Sequence, residues 1–164
     1  MDKLKEIYLY TDGASSGNPG PGGYAALLKY GNKEKKLSGG FKCTTNNRME
    51  LMAVIVGLEA LKQKCRVKVF SDSSYVVNAV NKGWLLKWEK NNWKRKSKLV
   101  PNSDLWSRFS SLLIRHEVEF HWIRGHNGHP ENEICDKMAV AASKVFPLPD
   151  DTGYFAYGPL VENP

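Results

Sequence analysis

A chain of 164 residues with 41% hydrophobic content fits one ordinary globular domain, residues 1–164, with a sizeable core, and needs no second. The longest apolar stretch, Leu51 to Leu61, is broken by Gly57 and Glu59 and is too short to span a bilayer, and the N-terminus lacks the apolar region of a signal peptide; a cytoplasmic protein is expected. The formal charge of +7 points toward a polyanionic partner, while three cysteines, Cys43, Cys65 and Cys135, are spaced for neither a zinc knuckle nor a disulfide framework and read as small buried residues in a reducing compartment.

Taken in order, Ile7, Leu9 and Thr11 alternate with Tyr8, Tyr10 and Asp12, the pattern of a strand covered on both faces. The turn that follows, Gly13 to Gly23, holds five glycines and two prolines, so backbone can approach backbone or ligand closely; alone, Asp12-Gly13 is ordinary hairpin chemistry. Tyr24 to Tyr30 reads as a second strand. After a turn at Gly31-Asn32, the lysine-rich stretch Lys33 to Lys42 reads as a third, suited to an exposed edge, and the three form an antiparallel meander.

Thr44 to Asn47 supply caps for a helix from about Asn46 to Gln63, with Leu51, Val54, Ile55, Leu58 and Leu61 inside and Met52 and Val56 widening the apolar face. Glu50 sits at the edge of that face, where a carboxylate either snorkels outward or meets a cation or donor. Arg66 to Ser71 makes a fourth strand ending at Asp72. Paired parallel to the first, it sets Asp12 and Asp72 at the ends of strands about 4.8 Å apart. Two unpaired carboxylates that close raise one another's pKa unless a cation lies between them, which is the first pressure toward a metal site.

Ser73 to Asn81 is a short helix stopped near Gly83. From Lys82 to Lys98 come seven basic residues and one acid, Glu89, interleaved with Trp84, Trp88 and Trp93. The tryptophans read as a small satellite core, and the basic cluster as a whole as a nucleic-acid backbone site. Pro101 and Ser103 open a helix to about Arg115 with Leu105, Phe109, Leu112 and Leu113 inside. Glu117 to Ile123 is a fifth strand pointing Val118, Phe120 and Trp122 inward. The Arg124 to Glu133 loop enters a last helix at Pro130, whose stripe is Ile134, Met138, Ala141 and Val145, with Asp136 beside it. The tail, residues 146–164, either wraps the surface or is mobile.

Asp12, Glu50, Asp72 and Asp136 are thus four acids at strand ends or on partly buried helix faces, with His126 the one candidate cation nearby. Hard oxygen ligands suit Mg²⁺ or Mn²⁺ and not zinc. Two such ions about 3.5 to 4 Å apart activate a water and stabilise the leaving oxygen in phosphodiester hydrolysis.

Four segments carry a resemblance. Thr11-Asp-Gly-Ala-Ser-Ser-Gly-Asn-Pro-Gly-Pro-Gly-Gly, Thr44-Thr-Asn-Asn-Arg-Met-Glu-Leu, Ser71-Asp-Ser-Ser-Tyr-Val and Gly125-His-Asn-Gly-His-Pro-Glu-Asn-Glu-Ile-Cys-Asp resemble, in order and spacing, the signature segments of bacterial ribonuclease HI, the type 1 ribonuclease H family, over nearly the whole chain to about Tyr154. The resemblance implies an α/β fold: a five-stranded mixed sheet, three antiparallel strands then two parallel, with helices on both faces. It implies an endonuclease that cuts the RNA strand of an RNA/DNA hybrid, leaving 3′-hydroxyl and 5′-phosphate ends, with Mg²⁺ as cofactor and Mn²⁺ as a substitute; nothing in the sequence suggests more than a monomer. By the same match Asp12 bridges both metals, Glu50 and Asp72 complete one site, Asp136 holds the ion that activates water, and His126 shuttles protons or assists product release. Asn18, Asn46 and Asn47 contact nucleotides across the minor groove, Thr45 helps receive a phosphate, and the 82–98 protrusion, with Trp84, Trp88, Lys90, Lys94, Arg95 and Lys96, holds the substrate. Ser74 departs from the family's usual Gln and puts one groove contact in question. Two alternatives stay open: a DNA-cutting enzyme of the same superfamily, for whose extra DNA-binding domains this chain has no room, and a catalytically silent hybrid-binding module.

Overall fold

The computed structural model describes residues 3–125 and 129–158. In chain order these form β1 (Lys5–Ser15), β2 (Gly20–Tyr30), β3 (Lys33–Thr44), α1 (Asn46–Glu59), β4 (Cys65–Ser71), α2 (Ser74–Asn81), α3 (Trp84–Lys90), a hairpin of β5 (Lys94–Arg95) and β6 (Lys98–Leu99), α4 (Ser103–Arg115), β7 (Glu117–Trp122), α5 (Pro130–Ala142) and α6 (Thr152–Tyr157). The main sheet runs β3-β2-β1-β4-β7. The first three strands are antiparallel and the β1-β4 and β4-β7 pairs parallel, as expected. No described helix is long and apolar enough to cross a membrane.

The main core lies between the sheet and α1, α2 and α4. Leu9, Val67 and Val69 from the strands meet Leu51, Val54, Ile55 and Leu58 of α1 and Trp106 and Phe109 of α4, all fully buried. α1 is buried on most sides because Gly57 lets it lie directly on Leu9. It ends at Glu59, short of the expected Gln63, because Lys62, Gln63 and Lys64 are exposed and have no apolar surface to follow.

The opposite face of β1, β2 and β3 is covered by α5, which turns a different stripe inward than the pattern predicts. Cys135, Ala139 and Ala142 are buried, Ile134 and Met138 pack at the sides, and Ala141 and Val145 are exposed. The cause is close approach: a Cβ on Gly23 of β2 would overlap the Ala139 carbonyl, so the helix presents its smallest residues to the sheet. On this face of β4 and β7, Phe70 stacks on Tyr10 at 5.0 Å and on the exposed His121 at 5.3 Å.

Trp122 and the tail also differ from expectation. Trp122 does not point into the core; it lies beyond Phe120 at the strand end and is 54% exposed. The tail's described part, residues 146–158, forms α6 and buries Asp151, while residues 159–164 lie outside the described residues.

Candidate active site

Register builds the site. β1 and β4 pair from Lys5↔Cys65 to Tyr10↔Phe70, and carrying that offset two residues further sets Asp12 beside Asp72 just past the end of β4. One carboxylate oxygen from each of Asp12, Glu50 and Asp72 lies within 4.8 Å of the others. Glu50 reaches the strand ends from the other side because Gly13 lets α1 touch β1: a Cβ there would overlap the backbone of Met49 and Glu50. Gly13→Ala is therefore expected to push α1 outward, cost about 1 to 3 kcal/mol of stability, and weaken Mg²⁺ binding. Chemical denaturation and calorimetric titration check both effects.

Asp12 and Glu50 sit in an environment that opposes their ionisation. Asp12 is 5% exposed, and burial, followed by the charge of Asp72, pushes its pKa up to about 7, although the Gly13 N–H donates to its Oδ1 at 2.9 Å. Glu50 is raised well above the usual carboxylate range by burial and by Asp12 and Asp72. Among the described residues, no lysine or arginine pairs with Asp12 or Glu50, and the buried Glu50 Oε2 has no hydrogen-bond partner. Crowded, desolvated oxygens with unused lone pairs fit a divalent cation with hard-ligand preference.

Asp136, on α5, lines the same groove and adds its charge to Asp12, but stands outside the tight trio. His126 lies outside the described residues. The groove encloses about 450 Å³ and runs from Ser15, Asn46 and Asn47 past the acids to Ser74 and Tyr75. Asn18 Oδ1 accepts from the Asn46 N–H at 2.8 Å and from Ser15 Oγ at 2.9 Å, tying the glycine-rich turn to the start of α1. Thr45 is fully buried; as N-cap, its hydroxyl accepts from the Arg48 N–H at 3.3 Å.

Beside this groove is a second, of about 400 Å³, lined by Tyr75, Trp84, Lys87, Trp88 and Arg95. Tyr75 borders both. Trp88 packs on Trp106 at 5.4 Å and, with Trp93, joins the main core rather than a separate satellite; Trp84 is 38% exposed with Lys82 Nζ 5.6 Å from its ring centroid. Lys90, Lys94, Arg95 and Lys96 are all exposed, and the β5-β6 turn carries the last of these with positive φ at Lys96 and Ser97.

Sequence reasoning passed over one buried constellation. Arg48, 1% exposed, donates through Nη1 and Nη2 to Asp104 at 2.8 Å each and through Nε to Asp151 at 2.8 Å. Thr44 Oγ1 adds a bond to Asp151 at 2.7 Å. Burial, which would lower the guanidinium pKa, is outweighed by Asp104 and Asp151, and the net shift is upward. Arg48 lies in the polar first turn of α1, between Asn47 and Met49, so the pattern carried no signal for it, and its partners, 56 and 103 residues away, were not legible.

The sheet order and the acids at its strand ends define a class of nucleic-acid hydrolases. A family model described as RNase H matches residues 4–144. The chain is 58% identical to a ribonuclease H of Desulforamulus reducens, over 90% of this chain and 94% of that one, and 54% identical to a ribonuclease H of Rippkaea orientalis, over 93% and 94%. Among solved structures it resembles LC9-RNase H1, a type 1 RNase H with the type 2 active-site motif, with a TM-score of 0.78 and 30% identity over 87% of this chain and 74% of that one. The chain belongs to the ribonuclease H family and is a nuclease.

Proposed function

We propose that the protein is an endonuclease that hydrolyses the RNA strand of RNA/DNA hybrids with two divalent cations, Mg²⁺ in the first place, leaving 3′-hydroxyl and 5′-phosphate ends. The observation that carries this reading is the trio Asp12, Glu50 and Asp72, whose oxygens lie within 4.8 Å of one another at the floor of an open groove. When bound, the ions supply Lewis-acid polarisation of the scissile phosphate and a water of lowered pKa. Asp12 is assigned to both ions, Glu50 and Asp72 to one, and Asp136 to the other. His126 is assigned proton transfer or product release.

The rest of the groove suits a hybrid. Asn46 and Asn47, which line its wall, are assigned to base edges and 2′-hydroxyls across a minor groove. Asn18 spends its carbonyl oxygen on Asn46 and so orders that wall, leaving its amide nitrogen to donate to a nucleotide. Thr45, buried, acts by capping α1, whose N-terminal dipole favours a phosphate. Trp84 and Trp88 line the second groove, where Lys87 and Arg95 supply positive charge for the other strand's backbone. Replacing Lys94, Arg95 and Lys96 together by Ala is expected to raise KM and flatten its salt dependence, by about one unit of log-log slope for each phosphate no longer neutralised. Initial rates across a salt series check it; an unchanged slope would return the arm to a structural role.

The test of the function offers RNA/DNA hybrid, end-labelled on either strand, beside double-stranded RNA and double-stranded DNA, with Mg²⁺ or with chelator. Cleavage confined to the RNA strand of the hybrid and lost with chelator is expected. Cutting of the DNA duplex, or of nothing, would sink the reading.

A further inference from the structure

We infer that the end of β7 is the positioning device for Asp72, and that Trp122 is its working residue. The inference rests on the assignment of Asp72 as a metal ligand. β4 stops at Ser71, so the Asp72 carbonyl lies past the last ladder pair, Ser71↔Trp122, and needs a donor from elsewhere. The Trp122 indole N–H supplies it at 3.1 Å. More than half of this side chain is exposed, at 54%, so burial in the core does not account for where the ring sits. Its bond to residue 72 does.

A second approach constrains the same residue. A Cβ on Gly125 would fall 2.7 Å from Asp72 Oδ2, so the chain leaving β7 passes directly against the carboxylate. On the other flank, the Ile123 N–H donates to the Ser71 carbonyl at 2.9 Å, and the Ser73 N–H donates to Ser71 Oγ at 3.0 Å while Ser73 caps α2. Asp72 is therefore clamped at its carbonyl by Trp122, at its carboxylate by the bare backbone of Gly125, and at its neighbours by Ser71 and Ser73. Asp12 and Glu50 need no such clamp, since both are nearly fully buried; Asp72 is the partly exposed member of the trio. Without the indole bond, the peptide following Asp72 loses its tie to the end of β7, and the carboxylate is held less firmly toward the other two.

The test compares wild type, Trp122→Phe, which keeps an aromatic ring and removes the donor, and Gly125→Ala, which crowds the carboxylate. Mn²⁺ is titrated calorimetrically into each metal-free protein; hybrid affinity is measured with chelator present, and the unfolding midpoint is recorded. Trp122→Phe is expected to weaken Mn²⁺ binding about 10-fold, the scale of lost outer-shell support, with hybrid affinity and the midpoint close to wild type. In turnover, kcat at low metal falls and is recovered by raising Mn²⁺, with KM for hybrid unchanged. Gly125→Ala weakens Mn²⁺ binding in the same direction. Wild-type Mn²⁺ affinity in Trp122→Phe would overturn the inference, as would a loss that merely tracks a lowered midpoint. A wild type that binds Mn²⁺ and cuts no hybrid would instead defeat the functional reading, because this comparison is read on the metal alone.

Discussion

Asp12→Asn is expected to end turnover and, in the metal-free protein at about pH 8, to raise stability by roughly 2 to 4 kcal/mol. The two effects share one cause. The Asp12 pKa is pushed from 3.8 to about 7 by burial and by Asp72, so between those values the folded state holds a proton that the unfolded state has released. Stability therefore falls as pH rises through this window, and above about 7 the folded protein carries the full burden of the charge. Asn removes the charge and can still accept the Gly13 N–H. Urea unfolding with chelator across a pH series checks the sign: the variant's advantage should vanish near pH 4 and grow toward pH 7. An equal advantage at every pH would mean that packing, not charge, separates the two proteins.

Arg48→Ala is expected to cost about 3 to 5 kcal/mol, lowering Tm by roughly 10 °C or more. Its guanidinium joins the start of α1, the start of α4 and the tail: Asp104 lies on α4 and Asp151 caps α6. Removing the cation leaves Asp151, 7% exposed, without its charge partner. The cost of an unpaired buried carboxylate is larger than the net worth of the pair, so an Arg48→Ala, Asp151→Ala double variant should be more stable than the sum of the single losses implies. Thermal melts of the four proteins in that cycle give the coupling; strict additivity would show that the tail is not held through Arg48. Because Glu50 follows Arg48 by two residues on α1, the same cluster also steadies the helix that brings a carboxylate to the site.

Much of the fold is legible in order along the chain, and the reasons differ by element. The period-two pattern at Ile7 to Tyr10, and the matching run at Arg66 to Ser71, locate two parallel neighbours, which alone place Asp12 beside Asp72. Spacing from Leu51 to Leu58 locates α1 and sets Glu50 at the edge of its apolar face. α5 is misread because periodicity ranks residues by hydrophobicity, whereas the close approach to Gly23 ranks them by size. Trp122 is misread because alternation along a strand says nothing about whether a helix still lies above its last residue. The tail is beyond reading from pattern: Asp151 looks like a turn residue until Arg48, buried and far away in sequence, is brought to it by the fold.

Everything proposed for the site depends on three carboxylates being crowded at the strand ends so that a divalent cation, and not a protein side chain, completes them. Carbon-13 detected titration of the Asp12 carboxyl, without and with Mg²⁺, reads that condition at the atom concerned. A midpoint near 7 in the metal-free protein, moving markedly downward on adding Mg²⁺, is the expected result. A midpoint near the ordinary value of 3.8 without metal, unchanged when Mg²⁺ is added, would contradict it.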